Sequence, residues 1–246
     1  MRAVSIVGFK NAGKSALTLL LANALERRGL RVAVAKHAHS GLDKPGTDSA
    51  RLRAPGRAVV ALSEEECALF YGEKRFLADM IPLIQADILL VEGGKHLGWL
   101  PRILCLRPPD EAEADERDKL DRGLAFAAWG RVAAPGLPFF PGGPGVEDET
   151  LDALAALAQE KAFMLPGLDC SACGRENCAG LAVEIVAGRA AMEACAALHA
   201  EVEVRINGQP LGLNDFAARV VAGALRGMLR EMKGFAPGEL TLTMRA

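Results

Sequence analysis

Two sets of residues in this sequence could carry chemistry: a glycine-rich loop near its start and a group of cysteines beyond residue 165. The loop Gly8–Ser15, GFKNAGKS, satisfies the pattern G-x-x-x-x-G-K-[ST] of a phosphate-binding loop, or P-loop. Glycines let backbone N–H groups converge on phosphate, and the helix that follows adds partial positive charge. Lys14 should reach the β- and γ-phosphates, and the Ser15 hydroxyl should complete a Mg²⁺ shell. We therefore predict nucleotide binding, with a glycine-rich structural turn as the alternative.

The residues predicted to bind nucleotide cover the P-loop and the start of the helix after it. They are Gly8, Lys10, Asn11, Ala12, Gly13, Lys14, Ser15 and Ala16. Lys10 either contacts phosphate or is a solvated loop charge, and both interpretations fit its position. The chain contains no Asn-Lys-x-Asp sequence, which would recognise guanine, so the motifs do not distinguish GTP from ATP.

A carboxylate at the end of a strand is expected to complete this site. The apolar run Ile88–Val91 is followed directly by Glu92, and P-loop enzymes place such a carboxylate near Mg²⁺. Glu92 is therefore the candidate metal-water ligand or water activator, and Glu92 and Lys14 are the candidate catalytic residues. The alternative is a strand-end glutamate that only caps the following loop. Asp87 is predicted to end the preceding helix.

The second set comprises four of the six cysteines, which lie close together in the sequence. They are Cys170, Cys173, Cys178 and Cys195. In a reducing compartment such a group favours metal or redox chemistry over disulfides. Four thiolates suit an Fe–S cluster or a tetrahedral Zn²⁺. Zinc sites usually pair two Cys-x₂-Cys hooks and only one occurs here, which favours an Fe–S cluster, with zinc or free thiols as alternatives. Cys67 and Cys105 lie in apolar runs, which predicts buried core thiols.

Strands and helices must alternate to position the P-loop and Glu92. Predicted strands are Ala3–Val7, Arg31–Ala35, Ala58–Leu62, Ile88–Val91, Ile103–Leu106 and Leu124–Trp129, and predicted helices are Ser15–Arg28, Phe76–Gln85 and Thr150–Ala162. The alternation predicts an α/β fold: a P-loop NTPase domain over residues 1–164, with a mainly parallel sheet and flanking helices. The Pro- and Gly-rich stretch Ala133–Gly145 is predicted to be a loop.

Two smaller modules are predicted after this domain. Residues 165–200 form a Cys₄ metal-cluster domain, in which the helix Ala179–Arg189 lets the chain return and bring Cys195 to the other cysteines. Residues 201–246 form a small α+β module. Its predicted parts are the strands Val202–Ile206 and Pro210–Leu213 joined by Asn207-Gly208, a cap at Asn214, a helix from Asp215 to Met232, and a last strand Leu240–Met244.

Composition narrows the range of partners. Half of the residues are hydrophobic, so a sizeable core can form, and 29 Lys+Arg against 31 Asp+Glu give a net charge of −2. There is therefore no global basic field for nucleic acid or anionic lipid. No apolar run reaches the ~20 residues that span a bilayer, and no signal-peptide pattern follows Met1. We expect a cytoplasmic protein without a nucleic-acid or membrane partner.

The loop after the second strand adds polar groups and carries a resemblance. Lys36, His37, His39, Ser49 and Arg51 are a candidate second anion site, and Asp48 a candidate Mg²⁺ ligand. The alternative is a helix start with Thr47 or Asp48 as cap. The stretch Lys36–Arg51, with the P-loop and Val91–Lys95, resembles the molybdopterin-guanine dinucleotide biosynthesis adaptor family over roughly residues 1–162. Ser40 and Leu42 depart from that family's usual histidine and aromatic residue.

The resemblance implies a GTP- and Mg²⁺-binding adaptor with weak GTPase activity. It would act as a homodimer beside a molybdenum cofactor guanylyltransferase, which joins GMP to molybdopterin, and would serve molybdo- or tungstoenzyme clients. About Pro166–Leu198 is similar to a small [4Fe–4S] domain of corrinoid iron–sulfur proteins and electron-transfer subunits, with all four cysteine positions matched. The alternative functions are an Fe–S electron-transfer protein gated by a P-loop ATPase module, and a zinc-bearing interaction protein.

Overall fold

Parallel strands form the central sheet of the computed structural model, which describes residues 1–38, 41–107, 120–199, 202, 204–206, 209–211, 213, 215–234 and 236. Its strands are β1 (Arg2–Gly8), β2 (Val32–Lys36), β3 (Val59–Leu62), β4 (Cys67–Phe70), β5 (Ile88–Glu92), β6 (Arg102–Leu106), β7 (Ala125–Gly130), β8 (Phe139–Pro141), β9 (Val204–Ile206) and β10 (Gln209–Leu211). Its α-helices are α1 (Lys14–Arg27), α2 (Asp48–Leu52), α3 (Leu77–Met80), α4 (Asp148–Lys161), α5 (Cys178–Val186) and α6 (Asp215–Arg230). Short 3₁₀ turns cover Ile81–Leu83, Met192–Ala194 and Ala196–His199.

Six of these described strands pair in the order β2-β5-β1-β6-β7-β8, and every pair is parallel. The central strands are covered on both faces, which is why their sequences are continuous apolar runs. The register pairs both Ile6 and Lys36 with Glu92, so β1, β2 and β5 end at the same edge of the sheet. Open parallel sheets bind ligands at this carboxyl edge. The predicted α/β fold with a mainly parallel sheet and flanking helices is confirmed.

Helices α1 and α4 cover one face of the sheet and build the main core with it. Leu17, Leu21 and Leu25 recur along one side of α1 and are wholly buried, as the helical period requires for a core-facing stripe. Leu154 of α4 packs into the same cluster. This packing fixes α1 against the sheet and so holds the P-loop at the carboxyl edge.

Three segments differ from the expectation drawn from sequence. Ala58–Leu62 does contain a strand, β3, but it pairs antiparallel with β4 outside the main sheet. Ala133–Gly145, predicted to be a loop, contains the edge strand β8. Proline is tolerated there because an edge strand leaves its outer N–H groups unpaired. The predicted helix Phe76–Gln85 is split into α3 and a 3₁₀ turn at Pro82, whose ring cannot continue an α-helix.

The cysteine-bearing module packs against the loop that joins β5 to β6. Leu165 and Leu181 are buried in its core. Trp99 of the loop packs both against this core and against the cluster on the sheet. Gly167 has φ 68°, and a Cβ there would lie 2.9 Å from Nε1 of Trp99. The contact therefore requires glycine at this position, for its backbone and for its lack of a side chain.

Two strands and a helix that were predicted for the last module are present in its described residues. β9 and β10 pair antiparallel, and α6 follows them. The Asn207-Gly208 turn, the cap at Asn214 and the strand Leu240–Met244 lie outside the described residues. None of the described helices combines the length and apolar character needed to cross a membrane. The proposed domain boundaries at 164 and 200 stay predictions.

Candidate functional site

The P-loop joins β1 to α1 and is shaped by close contact with β6. A Cβ on Gly8 would lie 2.5 Å from the carbonyl oxygen of Cys105, so only glycine fits there. Asn11 and Gly13 have φ 63° and 85°, left-handed conformations that turn successive N–H groups inward. Gly13 precedes α1 without a side chain to cap it, which leaves the first N–H groups of the helix open to an anion.

Lys14 bends back over its own loop and donates a hydrogen bond to the carbonyl oxygen of Phe9 at 2.5 Å. Burial lowers the pKa of Lys14, the charges of Lys95 and Lys36 act in the same direction, and Glu92 opposes them. The ammonium group is therefore costly to keep charged until an anion approaches. Bound phosphate would supply that anion.

Ser15, Lys36 and Glu92 meet at the carboxyl edge of the sheet. The Ser15 hydroxyl donates to Glu92 Oε1 at 2.8 Å. The Lys36 ammonium donates to both Glu92 oxygens, at 3.0 and 3.1 Å, and to Ser15 Oγ at 3.2 Å. The Glu92 side chain is only 12% exposed, against 58% for Lys36. The structure thus brings together the predicted magnesium ligands Ser15 and Glu92, with an ammonium group between them.

The loop after β2 forms its own polar network around Asp43, a residue that sequence reasoning missed. Asp43 accepts hydrogen bonds from the hydroxyls of Thr47 and Ser49, at 3.2 and 2.9 Å, and pairs with Arg53 at 3.5 Å. Its side chain is 9% exposed. Thr47 accepts from the backbone N–H of Ala50 and is the N-cap of α2, as the alternative interpretation of this segment expected. The signal in the sequence that could have identified Asp43 is its position four residues before the capping residue Thr47.

The candidate second anion site is only partly assembled in the described residues. The backbone N–H of His37 donates to the Glu92 carbonyl at 3.0 Å, and its ring lies edge-on to His96 with centroids 5.2 Å apart. Asp48 and Arg51 pair with each other at 3.5 Å and are largely exposed. Within the described residues, no hydrogen bond or salt bridge joins that pair to Ser15 or Glu92. His39 lies outside the described residues.

A cleft of about 610 Å³ opens beside the P-loop, at the carboxyl ends of β6, β7 and β8. Among the residues that line it are Asn11, Gly13, Arg107, Trp129, Arg131 and Gly142. A Cβ on Gly142 would lie 2.3 Å from the Trp129 ring, so glycine is needed where the chain passes the indole. Aromatic and cationic groups near a phosphate loop suit the remainder of a nucleotide. Apart from the P-loop residues Asn11 and Gly13, no motif marked these lining residues in the sequence.

The four clustered cysteines line one cavity. It is bounded by Cys170, Cys173, Cys178 and Cys195, with Pro166, Leu168, Ser171, Asn177, Leu181, Ala196 and Ala197. Within the described part of the chain, no three His, Cys, Asp or Glu side chains are grouped as ligands of a single metal ion. Four cysteines around one cavity are a donor set that an iron–sulfur cluster can use.

The backbone N–H of one neighbouring residue is aimed at a sulfur atom of the cavity. The N–H of Asp169 donates to Cys178 Sγ at 3.4 Å, and the N–H of Leu198 donates to the carbonyl oxygen of Cys195 at 3.1 Å. Asp169 itself has φ 47°, and its carboxylate accepts from the backbone N–H of Cys178 at 2.8 Å. Burial raises the pKa of both Cys178 and Cys195, so the metal-free thiols stay protonated. Four thiols, one with a backbone N–H donor, fit an iron–sulfur cluster.

The two remaining cysteines have different environments. Cys105 is buried, and burial raises its pKa to about 12, as predicted for a core thiol. Cys67 is exposed, so the prediction of a buried thiol is wrong there. It lies in β4, which is outside the main sheet and is not covered by it.

Similar proteins match over different parts of the chain. A Methanocaldococcus jannaschii protein, described as "Putative molybdopterin-guanine dinucleotide biosynthesis adapter protein", is 24% identical over 245 residues, 95% of this chain and 93% of the relative. An Escherichia coli "Molybdopterin-guanine dinucleotide biosynthesis adapter protein" is 34% identical over 103 residues, 38% of this chain and 59% of that protein. The crystal structure of Bacillus subtilis MobB covers 65% of this chain and 98% of its own, with 21% identity and a TM-score of 0.48.

Two family models match this sequence. Residues 165–197 match the model described as "Putative Fe-S cluster", which takes in all four clustered cysteines. Residues 3–129 match the model "Molybdopterin guanine dinucleotide synthesis protein B", MobB, which takes in the P-loop, the loop after β2 and Glu92. Because that second match covers more than half of the 246 residues, the chain belongs to the MobB family.

Proposed function

We propose that this protein is a GTP-binding adaptor in molybdenum or tungsten cofactor biosynthesis. In this role it assists the attachment of GMP to molybdopterin and the delivery of the product to client enzymes. The observation that carries the proposal is the contact of Ser15, Lys36 and Glu92 directly beside the P-loop. Membership of the MobB family supports the adaptor role, with a guanylyltransferase and molybdo- or tungstoenzymes as partners.

The nucleotide would lie along the carboxyl edge of the sheet. We assign its phosphates to the P-loop residues Gly8–Ala16, with Lys14 as the main cation, and its nucleoside to the cleft beside Trp129 and Arg131. Ser15, Glu92 and Asp48 are the proposed Mg²⁺ ligands. Magnesium would neutralise phosphate charge at this position. The contact between Ser15 and Glu92 supports the first two ligands, and Asp48 would have to leave Arg51 to join them.

We expect GTP hydrolysis to be slow. Both oxygens of Glu92 accept hydrogen bonds from Lys36, and one also accepts from Ser15. A carboxylate engaged in this way is better placed to hold a metal ion than to deprotonate water. The protein would therefore act chiefly as a nucleotide-dependent adaptor, and fast turnover would need groups from a partner.

The cysteine cavity is the proposed site of a [4Fe–4S] cluster, with Cys170, Cys173, Cys178 and Cys195 as ligands. The hydrogen bond from the Asp169 N–H to Cys178 supports this assignment. Such a cluster would supply one-electron chemistry or a redox-sensitive docking element. The location that we propose is the cytoplasm, where reducing conditions keep cysteines available to a metal cluster.

A homodimer is also part of the proposal. The β3–β4 hairpin stands outside the main sheet and exposes Val60, Leu62 and Leu69. Apolar side chains on an exposed hairpin are suited to pack against a second copy of this chain.

The proposed function is tested by calorimetric titration of GTP and ATP in the presence of Mg²⁺. We expect GTP to bind more tightly than ATP, and Lys14→Ala to weaken GTP binding by at least about tenfold, because a charged hydrogen bond to phosphate is lost. Lys74→Ala is the matched control, since Lys74 lies against Phe76 outside the site.

Two results would count against this assignment. Unchanged GTP binding by Lys14→Ala would remove the P-loop from the proposal. A preference for ATP, with ATP-dependent reduction of an acceptor, would favour the electron-transfer alternative instead. Anaerobic co-purification from cell extract should bring down a guanylyltransferase or a molybdoenzyme, and the recovery of neither would contradict the adaptor role.

A further inference from the structure

A further lysine, Lys95, lies at the mouth of the P-loop and has no role in the site described so far. It follows Glu92 by three residues, in the loop between β5 and β6. Its ammonium group lies over the ring of Phe9, 4.7 Å from the centroid. The carbonyl oxygen of the same Phe9 accepts the hydrogen bond from Lys14. Two ammonium groups are thus held at one residue of the P-loop, one by its ring and one by its carbonyl.

The backbone that carries Lys95 is fixed on both sides. Before it, the N–H of Gly93 donates to the Ile6 carbonyl of β1 at 2.9 Å. At Lys95 itself, the carbonyl oxygen accepts from the guanidinium of Arg102 at 2.8 Å, and Arg102 is wholly buried. Gly94 has φ 69°, a left-handed conformation that favours glycine in this turn. Any movement of the ammonium group therefore comes from its own side chain.

The charge at the mouth of the P-loop is unbalanced. Lys14, Lys36 and Lys95 surround it, and Glu92 is engaged by Lys36. Among the residues that the structure describes, no carboxylate forms a salt bridge with Lys95. The positive charge of Lys95 also helps to lower the pKa of Lys14, so the two side chains share one electrostatic environment. An anion between them would offset the excess positive charge and would favour the charged form of Lys14.

We propose that Lys95 is a further phosphate-binding lysine, whose ammonium group leaves the Phe9 ring and binds the terminal phosphate of a nucleoside triphosphate in the P-loop. This inference rests on the proposed nucleotide function. The ring holds the ammonium only through a cation–π contact, which is weak at an exposed site. A charge-assisted hydrogen bond to phosphate is stronger, so triphosphate should displace the ring.

The test compares GTP and GDP binding by Lys95→Met, measured calorimetrically with Mg²⁺. We expect GTP affinity to fall by about tenfold, the value of one charged hydrogen bond, and GDP affinity to fall by less than about threefold. Lys74→Met is the matched control, because Lys74 also lies over a phenylalanine ring, at 5.0 Å from Phe76, but away from the P-loop. It should bind both nucleotides as the unmodified protein does.

Phe9→Leu separates phosphate binding from simple packing. It keeps the backbone carbonyl but removes the ring that competes for Lys95, so GTP affinity should rise by about two- to fivefold. If Lys95 only packs against Phe9, both variants lower the unfolding temperature and neither changes the ratio of GTP to GDP affinity. That outcome would overturn the proposal.

A separate phosphate-bearing molecule would offer Lys95 the same oxyanion chemistry. In that case the GTP-to-GDP ratio would not change in Lys95→Met, and inorganic phosphate would bind to the GDP complex of the unmodified protein but not of the variant. This result would overturn the assignment to the terminal phosphate of the nucleotide. Lys14→Ala separates failure of the proposed function from failure of this inference. If Lys14→Ala does not weaken GTP binding, the P-loop is not the nucleotide site. If Lys14→Ala weakens GTP binding as expected but Lys95→Met does not, only the assignment of Lys95 fails.

Discussion

At the residue scale, Lys36 already provides a cation between the two proposed magnesium ligands. Its ammonium group is within hydrogen-bond distance of Ser15 Oγ and of both Glu92 oxygens. An ammonium group and a divalent cation prefer the same oxygen donors, so they would compete for this position. Binding of a metal–nucleotide complex would release Lys36 from Glu92 toward the phosphates or toward an anion bound at the candidate second anion site.

Lys36→Met should therefore raise metal affinity at this site. We expect the apparent affinity for Mn²⁺, used as a spectroscopic probe in the presence of GDP, to rise by about three- to tenfold, because the partly exposed ion pair with Glu92 no longer has to be broken. Electron paramagnetic resonance measures the free Mn²⁺ directly. Lys74→Met removes the same charge elsewhere and controls for net charge. A fall in Mn²⁺ affinity would mean that Lys36 helps to hold the metal complex rather than competing with it.

At the element scale, β8 and the turn after it complete the cleft beside the P-loop. Trp129 is the last residue but one of β7, and its register partner on β8 is Phe140. The N–H of Gly142 donates to the Gly130 carbonyl at 2.9 Å, which holds the chain close against the indole. The short edge strand therefore positions one wall of the proposed nucleoside pocket.

Gly142→Ala tests this wall, because its Cβ would lie 2.3 Å from the Trp129 ring. A rigid ring cannot yield without moving its neighbours, so we expect a loss of about 1–3 kcal/mol in the free energy of unfolding. The indole should also shift, which changes the fluorescence of Trp129 in a Trp99→Phe background, where it is the remaining tryptophan. Gly41→Ala is the control, since its Cβ would meet only one atom, at 4.0 Å. Unchanged stability and fluorescence would show that the turn adapts.

At the scale of the whole molecule, local sequence patterns predicted individual site residues and elements better than the contacts between distant segments. Ser15 and Glu92 could be identified because a loop motif and a strand end are local signals. Their contact with Lys36 joins residues 21 and 56 positions apart, and only the strand order brings them together. The edge strand β8 was missed because prolines and glycines obscure a strand that needs only one partner. The exposure of Cys67 was missed because apolar neighbours do not reveal whether a hairpin is covered.

The nucleotide-binding domain and the cysteine module both use the loop between β5 and β6. Glu92 at its start contacts the P-loop through Ser15, and Trp99 near its end packs on the core of the cysteine module. The backbone carbonyl of Trp99 also accepts from the N–H of Leu165 at 3.3 Å. Support for the cysteine cavity thus comes from the nucleotide-binding half of the chain.

Trp99→Ala should loosen the cysteine module more than it affects nucleotide binding. Cys178 and Cys195 are 9% and 4% exposed, and burial raises the pKa of both, so in the metal-free protein they should react slowly with a thiol reagent. Removing the indole lowers the free energy that local opening of the module requires. A decrease of about 1.4 kcal/mol corresponds to a tenfold faster reaction. Timed labelling followed by mass spectrometry measures each cysteine separately. Trp99→Phe keeps much of the packing and should react at an intermediate rate. Equal rates in all three proteins would mean that the module holds its thiols without support from the loop.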